Sequence, residues 1–191
     1  MSKTIHEFTT DVPQWNPYVV PLDLAEATNE QLDALKVTPS NTKVSDYVLV
    51  LAHDVETLKH RSPLFNAVMY NRGGLSRAER ELGAVGASIV NRCIYCAAVH
   101  ASRYNQLTKE TDVIAAIFAD GVDAQIEPRL KAILNFAVKL SKCPSDATAD
   151  DMAALVAAGL NKDEILDLIL STALFGWANR LMHTLGEPVG E

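Results

Sequence analysis

Nowhere in this chain are Lys and Arg concentrated: 17 basic residues face 24 acidic ones, and the formal net charge is -7. That excludes nucleic acid as an expected partner, because phosphate binding needs a dense basic face. No run approaches eighteen apolar residues. The longest candidate, "ILDLILSTALFGWANRLM", is interrupted by Asp167, Ser171, Asn179 and Arg180, so no membrane partner is expected. The N-terminal "MSKTIHEFTTDVPQW" lacks the apolar core of a signal peptide, which makes a cytoplasmic protein the expectation. Alternating apolar runs and Asn-Gly hairpins are missing too, which argues against a sheet-based fold. There is no low-complexity tract and no obvious internal repeat.

Cysteine is scarce, with three residues. In a reducing compartment thiols stay reduced, so a close Cys pair there reads as redox or metal chemistry before it reads as a staple. Cys143, ahead of Pro144, has no sequence neighbour to pair with and reads as a small apolar residue near a helix end.

What is present is helical periodicity in a chain of 191 residues, 48% of them apolar, enough for a substantial core. The first forty residues carry Pro13, Pro17, Pro21 and Pro39 among Trp15, Tyr18, Val19 and Val20. They read as an extended arm (1–40) whose aromatics seek burial, interrupted by a short helix around Asn29 to Leu35. From Thr42, Val44, Tyr47, Val48, Leu51, Val55 and Leu58 form one helical stripe. Ser62-Pro63 looks like the start of a second helix that ends before Gly73 and Gly74. Ser76 and Glu79 make a capping box. Thr108 or Thr111, Pro128, Thr148, and Asn161 or Lys162 open further helices, and Gly121, Gly159 and Gly186 close them. The fold expected is an all-α domain of seven or eight helices over 41–191. Its last helix is apolar nearly all round, as a helix buried in a subunit interface would be.

The densest chemistry lies in "ELGAVGASIVNRCIYCAAVH", Glu81 to His100. On one straight helix, Glu81 and Cys96 would stand roughly 22 Å apart and could not share a proton. A break at Asn91, a residue that tolerates the left-handed conformation, lets a new helix start near Cys93. Cys96 then falls in a helical first turn, where free N–H groups lower a thiol pKa from about 8.5 toward neutrality. His100, four residues on, shares its face. Glu81 returns on the antiparallel helix, able to hold a water or the imidazole. Cys93 is placed to form a disulfide with Cys96. The bland alternative is two buried small hydrophobes, a satisfied histidine and a solvated glutamate.

Local detail argues against three other uses of the pair. Haem attachment needs His directly after the second Cys, where Ala97 stands; structural zinc needs a second ligand pair; a thioredoxin-like site follows a strand. No metal site is expected, His53, Asp54 and His60 reading as a solvated face. On the last helix Trp177 and Leu181 read as core, whereas Asn179 and Arg180, together with Tyr95, are candidate pocket residues.

Glu81, Cys93-Ile94-Tyr95-Cys96 and His100 within "LSRAERELGAVGASIVNRCIYCAAVHASR" resemble the motif of the AhpD-like superfamily, the alkylhydroperoxidase and carboxymuconolactone decarboxylase relatives. The N-terminal arm and "FGWANRLMHTLGEP" resemble its peroxidase-related subgroup. The resemblance implies an all-helical fold, assembly as a trimer or hexamer, and reduction of a small-molecule peroxide with no bound cofactor. It implies Cys96 as the peroxidatic thiolate, Cys93 as the resolving thiol, and Glu81 with His100 as the proton relay, the disulfide being re-reduced by an external dithiol or lipoyl protein. The best-known peroxidase branch has His where this chain has Tyr95. A decarboxylase-like enzyme acting on a small carboxylic acid and a non-enzymatic redox sensor are the alternatives.

Overall fold

The computed structural model describes residues 3–36 and 44–190; Pro39 and the Thr42 start of the helical pattern lie outside the described residues. The described chain is helical: α1 (Asn29–Ala34), α2 (Asp46–Leu51), α3 (Val55–Tyr70), α4 (Arg77–Val90), α5 (Ile94–Thr108), α6 (Asp112–Asp120), α7 (Pro128–Ser141), α8 (Ala149–Ala157) and α9 (Lys162–Leu185). The all-α class holds: among the described residues α2–α9 give eight helices beyond the arm, within the seven or eight expected, and α1 is the short helix expected inside the arm.

The expected caps account for most boundaries. Ser76 and Glu79 exchange hydrogen bonds across the first turn of α4, and Asn161 with Glu164 does the same for α9, satisfying N–H groups that a helix start leaves free. Pro128 opens α7, where its missing N–H costs nothing.

Two boundaries differ from the sequence reading. The stripe from Val44 to Leu58 is split between α2 and α3, because the Asp54 carboxylate caps α3 through the Thr57 N–H and hydroxyl while Ala52 is fully buried beside Leu58. Ser62-Pro63 opens no helix; Pro63 sits inside α3. Lys59 and Pro63 are both exposed, so water can take the carbonyl that the proline ring cannot serve.

Three short strands were not legible: β1 (Lys3–Thr4), β2 (Gln14–Pro17) and β3 (Gly186–Gly190), ordered β1-β3-β2 and antiparallel. Runs of two to five residues are too short to show alternation. In register, Trp15 faces Pro188 and Lys3 faces Gly190, so the arm is tied to the end of α9. Trp15 is buried, but Tyr18, expected to seek burial, is exposed. Gly186 does not close α9 with a left-handed cap. It is extended, and a Cβ there would stand 2.5 Å from the Trp15 ring.

Helix α4 is the centre of the fold. Every residue from Arg80 to Ser88 is buried, and α5, α7 and α9 pack around it. Its small residues allow that closeness. A Cβ on Gly86 would lie 2.7 Å from the Ala137 Cβ on α7. Gly86→Val is therefore expected to cost about 1–3 kcal/mol by overpacking, read as a lowered urea midpoint at unchanged m-value. Arg129 ties the cluster together, pairing with Glu79 on α4 at 2.6 Å and Glu164 on α9 at 2.7 Å.

Helix α9 is long and apolar enough to cross a membrane by length and composition. It instead crosses the protein core, with Leu168, Ser171, Thr172, Phe175, Ala178 and Asn179 buried against its neighbours. Its other side is open: Leu166 is 55%, Leu170 43% and Trp177 40% exposed, so Trp177 is not the core residue its sequence context suggests.

Candidate active site on the α4–α5 hairpin

The turn joining α4 to α5 is one residue from what the sequence reading expects. Asn91 stays right-handed as the α4 C-cap (φ -80°), and Arg92 takes the left-handed conformation (φ 51°). The Arg92 N–H bonds the Ile89 carbonyl at 3.1 Å and the Cys93 N–H bonds the Ser88 carbonyl at 2.9 Å. That is a Schellman closure. Asn91 serves through its amide, donating to the Ala87 carbonyl at 3.0 Å and to Asn179 Oδ1 at 3.2 Å. His183 bonds the Asn91 carbonyl at 2.8 Å. Cys93 follows at once as the N-cap of α5, so one residue ends the first helix and begins the second.

Cys93 and Cys96 are both free and buried, 3% and 6% exposed, with sulfurs 2.8 Å apart. The acidity order is the reverse of the sequence expectation. Cys93 is the more acidic thiol: its hydrogen bond with the Cys96 sulfur lowers it, and the Cys96 backbone N–H at the helix start also lowers it, against the cost of burial. Cys96 is raised by the same hydrogen bond to Cys93 and by burial. The physical reason is the contact between the two sulfurs: a buried pair this close does not carry two negative charges, so stabilising the thiolate on one raises the other. The pair is expected to titrate in two steps, the first below and the second above the ordinary thiol value of about 8.5. Thiolate absorbance at 240 nm against pH would show this; one two-proton step near the free-cysteine value would contradict it.

Glu81 is 1% exposed, on the opposite helix. Its Oε2 stands 2.5 Å from His100 Nδ1, and its Oε1 accepts from Arg77, with Nε at 2.8 Å. Burial pushes its carboxyl up, but His100 and Arg77 outweigh that and hold it below the usual range. The Phe175 ring packs edge-on to the imidazole at 4.0 Å. Of the two roles open to Glu81, holding a water or holding the imidazole, the geometry has the second. Among the described residues no hydrogen bond joins His100 to either sulfur, so the carboxylate–imidazole pair and the dithiol are neighbours on one hairpin rather than one bonded chain.

The three candidate pocket residues separate. Asn179 is fully buried at the hairpin turn, donating to Ser88 Oγ at 3.2 Å and lowering both thiols. Tyr95 is half-buried on a cavity of about 430 Å³ bounded by Gln14, Trp15, Asp46 and Tyr47. Arg180 is exposed and donates to the Gly176 carbonyl beside Cys143 and Pro144, away from the dithiol. Cys143 itself is exposed beyond α7. His53 and His60 are exposed, and among the described residues no three His, Cys, Asp or Glu side chains converge as metal ligands.

Trp15, Tyr47, Val50 and Met182 pack over the sulfurs, with Arg61 against the Tyr47 ring. Sequence reasoning missed all of these as site residues. They come from the arm, α2, α3 and α9, each apolar by local pattern, and Tyr47 and Trp15 look like ordinary core. Arg61, between His60 and Ser62 in a polar stretch of α3, carries no local signal of its own.

Residues 56–139 match the carboxymuconolactone decarboxylase family. No curated protein matches the chain significantly. Among solved structures, the chain is similar to an uncharacterized peroxidase-related protein with an alkylhydroperoxidase AhpD core from Ralstonia eutropha JMP134. The two share 29% identity at TM-score 0.78, over 94% of each chain. A peroxidase-related protein from Silicibacter sp. TM1040 has 22% identity and TM-score 0.73, over 100% of this chain and 95% of that one. The debrominase Bmp8 shares the fold at 16% identity and TM-score 0.74, over 88% and 90%. The helical fold and the paired cysteines at the α5 start agree with these matches: residues 56–139 resemble the carboxymuconolactone decarboxylase family, and the chain as a whole is similar to a peroxidase-related protein with an AhpD core.

Proposed function

We propose that this protein is a thiol-dependent hydroperoxide reductase that cycles Cys93 and Cys96 between dithiol and disulfide. The observation that carries the reading is the contact of two free thiols at 2.8 Å, on the same hairpin as a buried Glu81–His100 pair.

The reaction begins with one thiolate in the pair, resting on Cys93. As a hydroperoxide approaches Cys96, the Cys96 proton passes to Cys93. The Cys96 thiolate attacks the terminal peroxide oxygen, the O–O bond breaks, and Cys96 becomes a sulfenic acid while an alkoxide leaves. His100, with Nδ1 held by Glu81, presents its other nitrogen to supply the proton that turns alkoxide into alcohol. The Cys93 sulfur then attacks the sulfenic sulfur, and hydroxide leaves with the Cys93 proton as water. An external dithiol or a lipoyl protein returns two electrons and two protons. No bound cofactor or metal enters this cycle, and the reducing cytoplasm is the compartment proposed for it. The exposed Leu166 and Leu170 on α9 support assembly as a homo-oligomer, a trimer or hexamer.

The test is cumene hydroperoxide consumption with dithiothreitol or dihydrolipoamide as reductant. Saturable turnover supports the reading. Absence of turnover with a titratable Cys93–Cys96 disulfide would point to the sensor, and turnover of a small carboxylic acid without any thiol cycle to the decarboxylase.

A further inference from the structure

We infer that the groove between α3 and α9 is a binding site for an apolar carboxylate, with the acid head group on Arg61. Two cavities of about 470 and 440 Å³ share Thr57, Arg61 and Trp177. Each is of the size that holds a small organic ligand. One is walled by Leu64, Phe65 and Leu174, the other by Val50, Leu51 and Leu181. The latter three also belong to the cluster that covers Cys93 and Cys96.

The cation in this apolar setting is what gives the ligand its chemistry. Arg61 lies over the Phe65 ring at 3.9 Å and beside the Tyr47 ring at 5.5 Å. Its Nε is buried with no acceptor, and among the described residues no carboxylate pairs with it. The adjacent Tyr47 hydroxyl, on a residue only 8% exposed, stands beside the same guanidinium as its polar neighbour. Aromatic faces offset part of the cost of a half-buried guanidinium, but they do not replace a hydrogen-bond acceptor. Leaving such donors unmet costs more than the rings return. Asp54, on the groove, is already engaged by the Thr57 N–H and hydroxyl, and His53 by the Val20 carbonyl. A carboxylate entering from the groove meets the planar fork of Arg61, and its apolar body covers Trp177 and the leucines. A neutral apolar ligand leaves the donors unmet, and a polar anion leaves the groove walls wet.

This inference stands beside the peroxidase reading and does not rest on it, so it is tested without peroxide. Trp177 lines the groove and is one of two tryptophans in the chain, so its fluorescence reports occupancy. The native protein is titrated with decanoate and with decanol, with Trp177→Phe to identify the signal and sedimentation velocity to follow assembly. The expected result is saturable quenching, lost in Trp177→Phe, with decanoate binding at least 10-fold more tightly than decanol. Arg61→Met should abolish that preference and Arg61→Lys keep part of it. Equal affinity for acid and alcohol in the native protein overturns the inference without recourse to any variant. So does a change of assembly state in step with quenching, which would assign the groove to a second copy. So does unchanged decanoate affinity in Arg61→Met together with a raised first thiol pKa, which would assign the cation to the thiolate.

Discussion

Cys96→Ser is expected to reduce hydroperoxide turnover to the uncatalysed background, because no other sulfur in the site can replace the one that takes oxygen. Cys93 remains, but it is the more deeply covered of the pair, 3% against 6% exposed, and the hydroxyl left beside it is no peroxide nucleophile at neutral pH. Cys93→Ser should behave differently. It keeps the attacking sulfur and loses both the proton acceptor and the resolving thiol, so it should consume about one equivalent of hydroperoxide, slowly, and stop as a sulfenic acid that dimedone traps. Mass spectrometry of the two variants after stoichiometric cumene hydroperoxide separates the roles: an adduct on Cys96 in Cys93→Ser, and none in Cys96→Ser. If Cys96→Ser forms the adduct on Cys93, the nucleophile is the more acidic thiol and the assigned order is reversed. In the same assay Glu81→Gln should lower kcat by about 10²–10⁴, because the amide neither fixes the His100 tautomer nor balances its charge.

The largest effect on stability is expected at Arg80, which touches neither thiol. Its side chain is 1% exposed on α4 and bonds Asp167 on α9 at 2.7 Å. It also donates to the carbonyls of Val68 at 3.0 Å, Asn71 at 3.1 Å and Gly73 at 2.8 Å. One guanidinium thus satisfies the end of α3, the α3–α4 loop and a carboxylate that itself accepts the Leu75 N–H at 2.9 Å. Arg80→Leu keeps the apolar stem volume but strands Asp167 and three carbonyls. Removing one partner of a buried pair costs about 3–5 kcal/mol, a large share of the 5–15 kcal/mol that holds a domain together. Urea unfolding should show the loss. The double variant Arg80→Leu with Asp167→Leu should recover part of it, because no uncompensated charge is then left; a loss under 1 kcal/mol in the single variant would contradict the assignment.

Features encoded by neighbours a few residues apart were legible without coordinates. The Ser76–Glu79 box, Pro128 at the α7 start and the Asn161 cap are local hydrogen-bond and steric preferences. So is the need for a break between Glu81 and Cys96, which follows from helical rise alone. Even there the left-handed residue was misplaced by one, since Asn91 found better use for its amide against Ala87 and Asn179, leaving Arg92 to make the turn. The family-type motif and the all-helical class belong to this local layer.

Long-range packing decided the remainder. That Asn179 and not Arg180 reaches the thiols depends on which side of α9 faces α4. That Cys93 rather than Cys96 is the acidic thiol depends on the contact between the two sulfurs, and that Arg61 lies beside Tyr47 without a carboxylate partner depends on α2 and α3 meeting. A helical period gives the apolar stripe but not the rotation and offset at which helices dock, because those minimise voids and unmet polar atoms over contacts remote in sequence. The chain therefore states its chemistry locally, while the acidity, cover and charge around that chemistry are properties of the assembled core.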